Sequence, residues 1–228
     1  MPKQERTTFV VAIDGPAGAG KSTVSRRLAE TLGYTFLDTG ALYRSVAFFA
    51  SRGAPAIPDE AKLAEIAQSI DVRFEPDAGM IRVWANGEDV SAAIRKPEVS
   101  QLASKVSAYP RVRSALLEAQ RRVANNASVV AEGRDIGTVV FPKAQAKFFL
   151  TASQEKRAQR RTLELAAEGK AGVYAEVLAA IKERDERDSS REAAPLRQAE
   201  DALLVDSSEK TIDEVISFML NTVRERGG

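Results

Sequence analysis

Five short apolar runs punctuate the chain, at Phe9–Ile13, Tyr34–Asp38, Ser128–Ala131, Ala146–Leu150 and Ala202–Asp206. The last three read as buried strands, and between the runs lie stretches with apolar residues at helical spacing. Strands buried on both faces and alternating with helices predict a parallel sheet. The first run ends at Asp14-Gly15-Pro16, and the spacing of Val24, Leu28, Ala29 and Leu32 then predicts a helix stopped by Gly33. A second helix is expected over Gly40–Ser51 and a third over Asp59–Ser69. From Val72 to Val90 the period shortens: Val72-Arg73-Phe74 and Ile81-Arg82-Val83-Trp84 alternate, and Asn86-Gly87 is a hairpin signal. A small antiparallel meander inserted in the α/β core is expected there, with Trp84 packing inside it. Helices over Pro97–Ala108 and Pro110–Asn125 follow, each with proline at its start, where a missing N–H costs nothing. The fold expected is α/β: a five-stranded parallel sheet with helices on both faces, a lid, and this antiparallel insert.

Composition removes several kinds of chemistry. The 228 residues contain no cysteine and no histidine, which excludes disulfide frameworks, thiolate zinc sites, thiol nucleophiles and imidazole bases. With 33 Lys+Arg against 32 Asp+Glu the net charge is +1, so nucleic-acid binding through a general positive field is not expected. Met1–Thr8 is polar and Phe9–Ile13 is too short for a signal or a membrane span. The expectation is a cytoplasmic protein with no membrane or nucleic-acid partner, a single folding unit over 1–228, and a bias to monomer.

Gly15-Pro16-Ala17-Gly18-Ala19-Gly20-Lys21-Ser22, continued by Thr23, matches the phosphate loop G-x-x-x-x-G-K-[ST] and sits between a predicted strand and a predicted helix, as that loop requires. The glycines let backbone N–H groups form an anion nest, the helix start adds to the field, and Lys21 reaches the outer phosphates. Ser22 is the candidate Mg²⁺ ligand. A guanine reader Asn-Lys-x-Asp is missing: the asparagines at 86, 125, 126 and 221 are followed by Gly, Asn, Ala and Thr. A GTPase is therefore disfavoured. Arginines near turns and glycines, in Asp38-Thr39-Gly40-Ala41-Leu42-Tyr43-Arg44, Pro110-Arg111-Val112-Arg113, Glu132-Gly133-Arg134-Asp135 and Arg184–Arg191, suggest a second, phosphorylated substrate.

From the phosphate loop through "DTGALYR", "SAYPRVR", "EGRDIGTVVFP" and "KERDERD" to "EDALLVDSS", the chain resembles the bacterial cytidylate kinases of the nucleoside monophosphate kinase group. The resemblance implies ATP- and Mg²⁺-dependent phosphorylation of CMP and dCMP. It also implies a nucleotide-acceptor part over 39–126 that includes the insert at about 70–93, and a lid at about 153–172. Lys21 is similar in position to the lysine that binds ATP phosphates. Arg44, Arg134 and Arg191 look like members of the CMP site, Ser104, Arg113 and Asp135 like base-recognising residues, and Arg184 and Asp188 like residues near the sugar. Asp38, Thr39 and Tyr43 belong to the same acceptor set. Arg157, Arg160 and Arg161 read alone as a helix surface, and by place as lid residues; with Lys21 and Arg134, Arg157 and Arg161 are the catalytic candidates. Glu132 is open between a water-mediated Mg²⁺ role and a structural hydrogen bond. The chemistry fits the inventory, because phosphoryl transfer asks for alignment and charge neutralisation, and an acceptor phosphate already ionised at pH 7 needs no general base.

Overall fold

The computed structural model describes residues 8–52, 59–77, 80–125, 127–167 and 169–228. Its elements run β1 (Val10–Asp14), α1 (Lys21–Leu32), β2 (Thr35–Asp38), α2 (Thr39–Ser51), α3 (Glu60–Ser69), β3 (Val72–Asp77), β4 (Met80–Ala85), β5 (Glu88–Asp89), α4 (Pro97–Val106), α5 (Pro110–Arg122), β6 (Val129–Gly133), β7 (Ala146–Thr151), α6 (Gln154–Ala167), α7 (Tyr174–Ser190), β8 (Leu203–Asp206) and α8 (Ile212–Glu225). The five apolar runs form one sheet in the order β2-β6-β1-β7-β8, and the alternating segment forms a second sheet, β3-β4-β5. β1 pairs in parallel with β6 and with β7, and β7 in parallel with β8.

The chain divides into two compact units. One comprises 1–36 with 123–228, the other 37–122. In the first, the central strand β1 is buried along its whole length, which is why its sequence carries no polar alternation. Val11, Ile13, Val130, Phe148 and Leu150 of the sheet meet Val24 and Leu28 of α1 and Val215, Ile216, Met219 and Val223 of α8 in one core. The C-terminal helix starts with a reciprocal cap, Thr211 with Glu214.

In the second unit, α2, α3, α4 and α5 bury Leu42, Val46, Leu63, Val99, Val106 and Leu116 together. The insert packs Val83, Ala85 and Val90 against Ala41 and Ile94. The turn between β4 and β5 has Asn86 at φ 51° and Gly87 at φ 80°, the two left-handed positions that make Asn-Gly so strong a hairpin signal. The meander is thus present. Ile136–Val140, for which the sequence reading named no element, closes as a single wide helical turn. Among the described residues, no helix is long and apolar enough to cross a membrane.

Candidate nucleotide site

The first unit builds its candidate site at the carboxyl ends of β1 and β6, which lie side by side with Asp14 opposite Gly133. The phosphate loop leaves β1 through Gly15 at φ +147°, where a Cβ would stand 1.9 Å from the carbonyl oxygen of Leu150. No other residue fits there. Gly18 and Gly20 also have positive φ, and Gly20 begins α1 with no side-chain cap. The first N–H groups of that helix are therefore left for an anion, as a phosphate cradle requires.

Lys21 is buried, and its Nζ donates to the Pro16 carbonyl at 2.7 Å. Burial pushes the Lys21 ammonium well below its usual range; Arg134 and Arg184 push the same way, while Glu132 and Asp14 oppose them. Cations that disfavour one another's charge define a site where a polyanion is strongly favoured. Asp14, at the end of β1, was not singled out in the sequence. Its two carboxylate oxygens accept the N–H groups of Ile136 and Gly137, each at 2.7 Å, and so hold the turn that follows Arg134-Asp135. Burial raises its pKa from 3.8 to about 6 against those two donors, with Asp135 adding to the rise and Lys21 opposing it.

Arg134, Asp135, Arg184, Asp188 and Arg191 also come together in this unit. Arg134 Nε donates to Asp188 at 2.9 Å, Arg184 Nε lies 4.0 Å from the same carboxylate oxygen, and Arg191 Nη2 lies 4.0 Å from Asp135. Burial would raise the Asp188 carboxyl, but Arg134 and Arg184 outweigh it and hold the group below its usual value. Glu132 and Asp135 are buried as well.

The three arginines of α6 differ sharply in environment. Arg157 is buried and bonded to the phosphate loop and to Asp185. Arg160 Nη2 donates to the Ser207 carbonyl at 2.6 Å, and Ser207 Oγ in turn donates to the Ala19 carbonyl at 3.3 Å. Arg161 is paired with Glu164 at the surface. Asp185 and Ser207 are two further residues that the sequence reading missed.

The second unit holds the rest of the acceptor set. Asp38 caps α2, accepting the Ala41 N–H at 3.0 Å with one oxygen, and Arg44 Nη2 at 2.7 Å with the other. The Arg113 guanidinium carbon lies 5.5 Å from the centre of the Tyr43 ring, and its Nη1 donates to the Ser107 carbonyl. Ser107 Oγ donates to the Ser104 carbonyl at 3.0 Å, and Thr39, Tyr43 and Ser104 are buried. Among the described residues, no group of three or more Asp or Glu forms a metal cage. Ser22, exposed in the first turn of α1, suits an ion held mostly by phosphate and water, which is how Mg²⁺ commonly binds beside nucleotides.

A strand-loop-helix phosphate cradle on a parallel sheet, with carboxylate-oriented arginines beside it, defines a nucleotide-dependent phosphotransferase fold. The sequence matches the family described as Cytidylate kinase over residues 11–225. It is 52% identical to "Cytidylate kinase" of Geobacter sp. (strain M21) over 217 residues, covering 95% of this chain and 93% of the relative. Similarity to "Cytidylate kinase" of Geobacter sulfurreducens is 51% identity over 226 residues, covering 99% and 97%. An uncharacterized protein from Eubacterium ventriosum shares the fold, with a TM-score of 0.54 at 12% identity over 95% of this chain and 99% of that one. The chain belongs to the cytidylate kinase family.

Proposed function

We propose that the chain transfers the γ-phosphoryl group of ATP to CMP and dCMP, giving ADP and the corresponding diphosphate. The observation that carries the reading is the pairing, in one chain, of a complete phosphate loop with a second set of arginines already oriented by carboxylates: Arg44 by Asp38, Arg134 by Asp188. A protein that merely sensed ATP would have no use for the second set.

In this reading Gly15–Thr23 cradle the donor phosphates and Lys21 neutralises charge on the group being transferred. Mg²⁺, when bound through Ser22, would supply charge neutralisation on the phosphate oxygens. Arg44, Thr39, Arg134 and Arg191 are the residues assigned to the acceptor phosphate. Arg184 and Asp188 serve the sugar side. No side chain is asked to remove a proton, because the acceptor oxygen is already anionic at pH 7. Arg161 and Arg160 belong to the lid at about 153–172. The protein acts in the cytoplasm as a monomer on small-molecule substrates.

Base choice is assigned to Asp135, Arg113 and Ser104. A carboxylate accepts from the cytosine amino group and opposes the uracil O4, whereas a guanidinium donates to N3 or O2. A coupled ADP-release assay with MgATP against all common nucleoside monophosphates tests the reading. CMP and dCMP are expected to be used well ahead of UMP, AMP and GMP. ATP binding without turnover on any monophosphate would overturn it. Asp135→Ala should lower CMP use more than UMP use, narrowing the preference; equal losses would assign Asp135 to sugar, phosphate or local structure.

A further inference from the structure

The phosphate loop is held by side chains at its carbonyls. Because a trans peptide is planar, its C=O and the N–H of the next residue point to opposite sides, so fixing the oxygen fixes the direction of the donor. Every described peptide in the chain is trans. Lys21 holds the Pro16 carbonyl and so orients the N–H of Ala17. Arg157 Nη1 holds the Ala17 carbonyl at 2.9 Å and so orients the N–H of Gly18. Two successive planes of the cradle are thereby set, one of them from α6, about 140 residues away in sequence.

We propose that Arg157 and Asp185 form a clamp that sets the phosphate loop for the donor nucleotide, and that both are positioning residues. The proposal rests on the loop being the ATP site. Arg157 is 3% exposed, and four of its five N–H donors are committed: Nε to the Ala152 carbonyl at 2.9 Å, both on Nη1 to Ala17 and to Asp185 Oδ1 at 3.0 Å, and one on Nη2 to Asp185 Oδ2 at 2.5 Å. A guanidinium so engaged acts on phosphate through the loop. Asp185, on α7, neutralises a cation that would otherwise be buried without a counter-charge, and its two oxygens fix the plane of the fork. The stem matters too: a Cβ at Gly18 would lie 3.4 Å from Arg157 Cβ, so the loop rests directly on that side chain. The clamp therefore joins α6, α7 and the loop.

Two variants test it. Asp185→Asn keeps the shape but removes the charge; Arg157→Lys keeps a charge but cannot serve the Ala17 carbonyl and the carboxylate together. Three readouts apply to each: binding of a fluorescent ATP analogue without acceptor, KM for ATP and for CMP varied separately, and melting temperature. ATP-analogue binding and the ATP KM should weaken by about tenfold in each variant, with the CMP KM within about twofold, as for loss of one charge-assisted bond. The double variant should be no worse than the poorer single one, since both break the same clamp. Unchanged ATP binding with a lowered melting temperature, equal rises in both KM values, additive losses in the double variant, or failure of both variants to fold would each overturn it. Analogue binding needs no acceptor, so a wrong assignment of CMP would show in the wild-type turnover and leave this comparison readable.

Discussion

The two units assemble their candidate site residues by opposite means. In the unit of 1–36 and 123–228, several contacts that shape the site span the chain: Asp14 to Ile136 is 122 residues, Arg157 to Ala17 is 140, and Arg134 to Asp188 is 54. In the unit of 37–122 several hydrogen bonds of the site residues are local, Arg44 being six residues from Asp38, Arg113 six from Ser107, and Ser107 three from Ser104, and a longer reach is that of Arg113 to the Tyr43 ring. Long-range contacts also hold the strands and helices together, so in the first unit a side chain that orients a neighbour is part of the tertiary structure. Local contacts cap a helix or join residues within about two turns of one another along the chain. Substitutions should therefore move stability and activity together in the first unit and separate them in the second.

Lys21→Ala is the strongest way to break that contrast. Removing a charge that develops its value on the transferring phosphate should cost about 3 to 4 kcal/mol of the barrier, a loss of roughly 10² to 10³ in rate. Burial and the nearby arginines already disfavour the Lys21 charge, so the melting temperature should stay close to wild type. Turnover in the ADP-release assay and a thermal melt of the same sample check both halves; retained turnover would remove Lys21 from the chemistry. Asp188→Ala should follow the rule instead. It leaves the half-buried guanidinium of Arg134 and the neighbouring Arg184 without their carboxylate, so stability should fall by about 2 kcal/mol while acceptor use weakens. Denaturant melts and the CMP KM read the two effects, and a change confined to ATP affinity would show that the residue serves the donor side.

The same contrast explains what could be read from the sequence. The five strands of the parallel sheet, the helices between them, the Asn-Gly turn and the phosphate loop are written in runs of consecutive residues, and period or spacing reveals them. Arg157 was legible as a helix arginine but not as a buried one, because its partners Ala17 and Asp185 come from different elements. Asp14 looked like the last residue of a strand before a glycine turn. Its role in holding Ile136 and Gly137 depends on β1 lying beside β6, a pairing that no local pattern encodes. The turn at Ile136–Val140 was hidden for the same reason. In the local unit, by contrast, the run ending at Asp38 and the helix expected over Gly40–Ser51 are neighbours in the sequence itself.

Asp14 gives a smaller effect that shows as a pH slope. Its folded pKa of about 6 lies above the ordinary 3.8, so the folded state binds the proton more tightly than the unfolded chain. The stabilisation this linkage supplies is complete below about 3.8 and is lost as pH rises towards 6. Asp14→Asn removes the titration. The melting temperature of wild type minus that of the variant should fall between about pH 4 and pH 6 and then level off. A flat difference across that range would show that the two backbone N–H donors hold the carboxylate ionised. At every pH the variant should also lose stability, because an amide offers one acceptor to two N–H groups.

The smallest effect, and the sharpest test of separability, is at Asp38. One oxygen caps α2 through the Ala41 N–H and the other orients Arg44. Asp38→Asn keeps an acceptor for the cap but loses the charge that draws in the guanidinium, whereas Asp38→Ala loses both. The alanine variant should be about 1 kcal/mol less stable than wild type, the usual worth of an N-cap, and the asparagine variant close to wild type. Arg44 is partly exposed, so its ion pair adds little to folding. If its function is to meet the acceptor phosphate in one orientation, the CMP KM should rise by a similar factor in both variants, with the ATP KM unchanged. Stability would then follow the cap and substrate use the ion pair, two properties divided between two oxygens of one carboxylate. An asparagine variant with a wild-type CMP KM would show that Arg44 is oriented without Asp38, and the local unit would lose the separation that distinguishes it from the other.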